Sequence, residues 1–284
     1  MADGFQAGGR RERSAESGTR RGIIIARQPE HSTRLSAPPA SLSDFSVEEL
    51  DYGFLPFLHA TWRVFAVFAC RPVRLAATGD ILTGYDVLPS ATDVDRVAAL
   101  DGMVLKRAHQ GLVDMALRRR AAFVVVPVAY GTLANPGSAA AYLALLQKMA
   151  PSLRSHLVLG LSGCPDDVPG EELAATVDPL KRLGLAVSVR LPSASRPLAA
   201  IEALGAFSVE IDLRHYARTE LAQPCTLRRF AAEARKRGLY SFVDSIDTPG
   251  LATWCRAAGV DYLGGRVFAE MSDHVGPVAG PSLA

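Results

Sequence analysis

The sequence has no long hydrophobic run. No stretch approaches the roughly 18 apolar residues that a membrane-spanning helix needs. Gly22–Ala26 is too short to be the apolar region of a secretory signal. Paired cysteines are also missing. Cys70, Cys164, Cys225 and Cys255 lie far apart with no CxxC, which argues against a disulfide scaffold and against a zinc site. They read as buried free thiols in a reducing cytoplasm. The six histidines (31, 59, 109, 156, 215 and 274) fall at no metal-ligand spacing. There is no GxSxG string, and no cysteine has a histidine at a motif spacing, so nothing points to a hydrolytic nucleophile.

The chain does have the material for a core. Of 284 residues, 49% are apolar and 21% charged, enough for one large domain or two small ones. The formal charge is +2, and its placement matters more than its size. Residues 1–40 hold seven arginines against four acids, which leaves the rest of the chain at −1. This stretch is rich in Gly, Ser and Pro without apolar periodicity, and it reads as a disordered basic tail over residues 1–45. A solvated leader is the preferred reading over a nucleic-acid or membrane arm.

Order is expected from Ser46, where Ser46-Val-Glu-Glu49 has the form of a capping box. Two β-rich runs, Gly53–His59 and Val64–Arg71, flank a turn at Thr61–Arg63 and predict a hairpin. Asp93 is a plausible cap for a long helix with Val94, Val97, Leu100, Met103, Val104, Ala108, Leu112 and Met115 at helical spacing. Arg118, Arg119 and Arg120 stand at its end, where the helix dipole favours cations.

From there strands and helices alternate. The expected strands are Phe123–Val128, His156–Leu161, Leu185–Leu191, Phe207–Leu213, Leu239–Asp244 and Asp261–Phe268. Helices are expected near 137–150, 170–183, 197–204, 226–238 and 248–258. Apolar strands between helical stretches predict a parallel sheet covered by helices. Two early strands and six later ones suggest a closed (β/α)8 barrel, and an open doubly wound sheet fits the same pattern.

The most specific strings close the chain. Gly238-Leu-Tyr-Ser-Phe-Val-Asp-Ser-Ile-Asp-Thr248, followed by a helix and Gly259-Val-Asp-Tyr-Leu-Gly-Gly-Arg-Val-Phe268, resembles the end of the EAL domain, the bacterial cyclic-di-GMP phosphodiesterase family. Leu55-Pro56, Leu100-Asp101-Gly-Met-Val-Leu105, Thr132-Leu-Ala-Asn-Pro136, Leu157–Leu159 and Val209-Glu-Ile-Asp212 follow the family's order. The resemblance spans about residues 50–272. It implies a TIM-like barrel with an inverted first strand over residues 46–274, a flexible C-terminus over 275–284, and a site at the C-terminal ends of the strands. In the family two divalent metals, Mg²⁺ or Mn²⁺, held by Glu, Asn and Asp, activate a water for attack on the phosphodiester.

Carried over position by position, that ligand set is mostly missing. Tyr85-Asp-Val-Leu88 looks like the signature string but lies too close to Leu100. Spacing puts the signature on Phe68-Ala-Cys70, so Phe68 stands for the metal-binding Glu. Arg71 falls one residue short of the phosphate-binding Arg, which aligns with Pro72. The ligand Asn becomes Pro127, and Glu-Leu-Thr-Glu becomes Gly160-Leu-Ser-Gly163. The Asp-Asp pair becomes Arg190-Leu191, with Pro192–Arg196 as the loop after it. The catalytic Lys becomes Glu210, the late Glu becomes Asp244, and the Gln before the last glycine becomes Gly264. Phe, Pro, Gly and Leu offer no ligand to a hard cation, and an arginine repels one.

The residues that remain read as a vestigial pocket: Phe68, Arg71, Arg190, Glu210, Asp244, Asp247 and Gly264. Arg71 and Arg190 could grip a phosphate or guanine, but an ion pair such as Arg190 with Glu210 is the preferred reading. Asp244 and Asp247 read as a ligand rim or, preferably, as a loop-bonding residue and a helix cap, and Asp212, ending its strand before a loop, is weighed in the same way. Gly264-Gly265 fits tight packing better than a phosphate cradle. The hairpin aromatics Phe57, Trp62, Phe65 and Phe68 are core in part and, where exposed, a partner or homodimer surface. The function expected is a catalytically inactive, degenerate EAL-type module, cytoplasmic and without a cofactor, that acts through a protein partner in cyclic-di-GMP signalling. The alternatives are a receptor that binds cyclic-di-GMP without hydrolysis and a residual phosphodiesterase needing Mg²⁺ or Mn²⁺.

Overall fold

The computed structural model describes residues 46–192, 197–215 and 224–276. The predicted tail over 1–45, most of the loop after Leu191 and nearly all of the predicted flexible C-terminus lie outside them.

The first two strands are β1 (Asp51–His59) and β2 (Phe65–Leu75), an antiparallel hairpin. A short strand, β3 (Ile81–Thr83), returns along β2. Helix α1 (Val94–Leu117) follows, and then strand–helix units begin. These run β4 (Phe123–Ala129), α2 (Tyr130–Ala134), α3 (Pro136–Gln147), α4 (Pro151–Arg154), β5 (Leu157–Ser162), α5 (Gly170–Arg182), β6 (Ala186–Arg190), α6 (Leu198–Ala203), β7 (Ser208–Asp212), α7 (Pro224–Lys236), β8 (Tyr240–Asp244), α8 (Pro249–Ala258) and β9 (Tyr262–Gly264).

The sheet order is β1-β9-β8-β7-β6-β5-β4-β2-β3, and β1 also pairs with β2, so the sheet closes on itself. With β3 appended outside the ring, eight strands form the barrel. β2 and β4 to β9 run parallel, while β1 is antiparallel to both β2 and β9. This is the predicted barrel with an inverted first strand, and closure removes the open-sheet alternative. β3 was not foreseen. Its three residues hold the end of β2 through Val73–Thr83, Arg74–Leu82 and Leu75–Ile81, so β2 runs four residues beyond the predicted Arg71.

Local chemistry sets the helix ends. Asp93 accepts the Arg96 amide at 3.1 Å and starts α1. Asn135 accepts the Gly137 and Ser138 amides, with Pro136 in the first turn of α3. Thr248 accepts the Leu251 amide to start α8. The predicted cap, Asp247, does not do this. It faces the exposed Arg266 at 3.3 Å instead.

Alternation along the strands makes two cores. One face of each strand, with Phe54, Phe68, Val124, Leu159, Val189, Val209 and Val243, packs against the helices. The other face points into the barrel, where Phe57, Val67, Ala69, Val125, Val158 and Phe242 form a small apolar plug. β9 is shorter than predicted for a steric reason. Ile246 donates its amide to the Gly264 carbonyl at 2.9 Å, and the chain turns at Gly265 with φ +146°. A Cβ on Gly265 would lie 2.2 Å from the Ile246 oxygen, so only glycine permits this approach.

Candidate functional site

Above the apolar plug, at the C-terminal ends of the strands, the barrel is filled by charge. β6 supplies Arg190, β7 supplies Glu210 and Asp212, β8 supplies Asp244, and β2 supplies Arg71 from the opposite side of the ring. Strand register explains the assembly. Arg190 pairs in register with Glu210 and Asp212 with Asp244, so period-two alternation aims all four side chains inward.

The contacts form one network. The Arg71 guanidinium donates to Asp244 Oδ2 and lies 3.9 Å from Glu210 Oε1. Arg190 donates to Glu210 Oε1 at 2.5 Å and to Asp212 Oδ2 at 3.2 Å, and stands 3.6 Å from Asp244 Oδ2. Arg214, two residues past Asp212, donates to its carboxylate through both its backbone amide and its guanidinium. It also reaches Asp86 at 3.1 Å and Thr83 at 3.3 Å, which ties the mouth to the turn after β3. The Asp244 side chain is 0% exposed and that of Arg71 6%. The Arg190 side chain is 24% exposed and forms the outer edge of the network.

Electrostatics follow from burial and pairing. Burial pushes the Glu210 carboxyl up, and the neighbouring Asp244 adds to this. Arg190 and Arg71 offset only part of it. Burial also works against the Asp212 charge, but hydrogen bonds from Arg214 and the charge of Arg190 outweigh it and hold its carboxyl well below the usual range. Burial likewise disfavours the Arg190 charge, and the carboxylates of Glu210, Asp244 and Asp212 more than restore it.

Five of the seven sequence-predicted residues stand inside the barrel or on its rim, but not all in one role. Arg71, Arg190, Glu210 and Asp244 meet directly, and the expected Arg190–Glu210 pair is present. Asp244 also accepts the Ser245 amide at 2.7 Å, the loop bond expected of it. Gly264 faces inward but lies under Phe57, since a Cβ there would sit 2.5 Å from that ring. Its role is packing. Asp247 belongs to the exposed pair with Arg266, outside the network.

Phe68 is a correction. It is 1% exposed and packs in the outer core beside Cys70, whose thiol points to the Val104 carbonyl. The inward residues of β2 are Val67, Ala69 and Arg71. A metal ligand would have to face the site, so the expected position on Phe68 fails by one residue, a slip that exchanges the two faces of a strand. Shifted either way, the position falls on Val67 or Ala69, and neither carries a ligand atom.

Sequence reasoning did not assign Asp212 to the network and missed Arg214 and Thr83. Asp212 offered a signal, because it follows Glu210 by two on one strand face. Arg214 lies past the strand end, where no periodicity applies.

The donor set does not fit a pair of divalent cations. The inward positions Pro127, Gly160 and Gly264 offer no side-chain oxygen, and the three carboxylates present are clasped by guanidinium groups. Among the described residues no group of three His, Cys, Asp or Glu side chains is arranged to hold a metal ion.

A second polar centre lies behind the barrel. Asp101 of α1 is 1% exposed and accepts the Tyr85 hydroxyl at 2.6 Å, the Thr132 hydroxyl at 2.6 Å and the Ala129 amide at 2.9 Å. Burial pushes its carboxyl up to about 6 despite those bonds. It pins α1 to the β4–α2 junction. Of the thiols, Cys70, Cys164 and Cys255 are buried, as expected, while Cys225 at the start of α7 is exposed. No helix among the described residues is long and apolar enough to cross a membrane.

No family model matches the sequence, and no curated protein matches it. Solved structures do match. The PaMucR phosphodiesterase in its c-di-GMP complex has a TM-score of 0.65 at 16% identity, over 78% of this chain and 92% of that one. Bacillus subtilis YkuI, a protein with an EAL domain seen in complex with c-di-GMP and calcium, has a TM-score of 0.66 at 14% identity, over 82% of this chain and 57% of that one. The Xanthomonas citri FimX EAL domain in complex with c-di-GMP has a TM-score of 0.62 at 13% identity, over 83% of this chain and 91% of that one. The barrel closed by β1 to β9 therefore has the EAL fold.

Proposed function

We propose that this chain is a degenerate EAL-type domain that has lost phosphodiesterase chemistry and acts as a regulatory protein-interaction module in cyclic-di-GMP-linked signalling. One observation carries the reading. Where the fold's site lies, Arg71, Arg190 and Arg214 occupy the barrel mouth and pair with its three carboxylates. A guanidinium that is hydrogen-bonded to Glu210 and Asp212 takes the room and the ligands a cation would need. Glu210 stands where the family has its catalytic lysine, so the site has lost an essential cation as well as its metal ligands.

The runner-up is a receptor that binds the dinucleotide without cleaving it. The one-residue shift toward Val67 favours it, because that shift puts Arg71 at the family's phosphate-binding arginine. Against it, Arg71 is already bound to Asp244.

Cyclic-di-GMP is titrated into the purified protein by calorimetry with and without Mg²⁺ or Mn²⁺, and the mixture is then assayed for cleavage. No heat and no linear product are expected. Heat without cleavage would make the chain a receptor. Metal-dependent cleavage above a no-protein blank would overturn both readings.

A further inference from the structure

Six of the nine large apolar side chains exposed among the described residues sit at the end of the barrel opposite the ionic mouth. Trp62 and Val64 lie in the β1–β2 turn, and Leu117 ends α1. Phe123 and Tyr240 open β4 and β8, and Phe207 directly precedes β7. The rings join into an arc. Trp62 stacks on His59 at 4.1 Å, and His59 meets Tyr262 at 4.8 Å. Tyr262 meets Tyr240 at 5.8 Å, and Tyr240 meets Phe207 at 4.9 Å. On the other side of the turn Phe123, in register with Val67 of β2, reaches His156 at 5.7 Å.

The same end is basic. Helices that lead into the strands finish there, and cations are favoured at helix C-termini. Arg118, Arg119 and Arg120 after α1, and Arg235 and Lys236 closing α7, are all exposed. The helix dipole accounts for cations at these ends. It does not account for the exposed rings of Trp62, Phe123, Phe207 and Tyr240, joined in part through the buried His59 and the half-buried Tyr262. Scattered exposed apolar residues are ordinary, whereas contiguous ones mark interaction surfaces. Trp, Tyr and Arg together are the composition of binding hot spots.

We infer that this face docks an acidic protein segment with aromatic or aliphatic anchors, the rings taking the anchors and the rim arginines the carboxylates. The inference rests on the reading of the chain as an interaction module and adds the surface and the chemistry of the partner. Charge complementarity selects the occupant. A second copy would set one basic face against another. Single-stranded nucleic acid needs ring faces laid open for stacking. Here one face of Trp62 is covered by His59, and Tyr262 is stacked on Phe242 at 4.3 Å. Tyr262 stands at 82° to His59 and 69° to Tyr240, so the arc presents edges as well as faces. Such a surface suits side chains better than bases.

The test is selection of a displayed random-peptide library on the full chain, followed by affinity measurement of the winners. Acidic winners with aromatic or leucine anchors are expected. Trp62→Ala should weaken them about tenfold or more, and so should Arg118, Arg119 and Arg120 changed together to Glu. Both variants should keep the wild-type melting profile, since they alter exposed positions. Arg190→Ala, at the other end of the barrel, should leave peptide affinity unchanged. The inference falls if nothing is enriched, if winners are neutral or basic, or if the two surface variants bind them normally. It also falls if oligo(dT) or phosphatidylserine vesicles are held more tightly at about 0.15 M salt. Nucleotide turnover is not part of this readout. Cleavage would remove the inactive-enzyme reading and leave the docking result standing.

Discussion

Arg71→Met is the perturbation that tests the ionic mouth most directly. Asp244 has a fully buried side chain, and its strongest partner is the Arg71 guanidinium. The remaining cation, Arg190, lies 3.6 Å away and is already committed to Glu210 at 2.5 Å and Asp212 at 3.2 Å. Removing one partner of a buried pair leaves an uncompensated charge and costs about 3–5 kcal/mol. Replacing both partners by apolar groups is close to neutral by the same principle. Arg71→Met should therefore lower the urea-derived unfolding free energy at pH 7 by about 3–5 kcal/mol, and adding Asp244→Leu should restore most of it. The pH dependence fixes the cause. Burial already raises the Glu210 carboxyl in the fold, and without the Arg71 charge it is raised further. A carboxyl raised in the folded state penalises stability progressively as pH rises from about 4 through its folded value. The deficit should thus be smaller at pH 4.5 than at pH 7. A loss below about 1 kcal/mol at pH 7, or one independent of pH, would mean that water solvates the mouth and the pairs hold nothing.

The other predictions concern separate parts of the barrel. Asp101, pushed up to about 6 by burial, should cost stability as pH rises from about 4 to about 6, on the order of 3 kcal/mol across the window. Asp101→Asn should flatten that part of the stability–pH curve measured by denaturant titration, and an unchanged slope would place the titration elsewhere. Gly264→Ala drives a methyl to 2.5 Å from the Phe57 ring and should cost about 1–3 kcal/mol, with Phe57→Leu recovering part of it in thermal melts. Among the thiols of the described residues only Cys225 is exposed, and burial pushes Cys70 and Cys255 up to about 12. Ellman's reagent should therefore titrate about one thiol in the folded protein and four after denaturation. Fast reaction of a second thiol in native protein would contradict the packing around Cys70 and Cys255.

The barrel could be read from the sequence because its signals are periodic and local. Capped helices and apolar strands recur in order, and each needs only its own neighbourhood to be recognised. β3 escaped because three residues carry no period, and it exists only through pairing with an overlong β2. The end of β9 escaped because it is set by a close approach of Ile246 to Gly265, a contact between residues on different segments. Phe68 went to the wrong face for a different reason. Spacing between motifs locates a strand to within a residue or so, but a barrel strand has two faces and period two, so an error of one residue reverses the assignment.

The site shows the same division between what is local and what is not. Which residue types stand at the strand ends was readable from the sequence. How they compensate one another depends on ring closure. Arg71 meets Asp244 only because β1 and β9 join β2 to β8, 173 positions further along the chain. Without that pairing the three carboxylates of β7 and β8 would face Arg190 and Arg214 alone. The arginine from the inverted hairpin's second strand therefore supplies charge that the buried acidic cluster would otherwise lack. A divalent cation introduced at the mouth would have to displace this clasp first, because a cation and a guanidinium cannot share the same carboxylate oxygens.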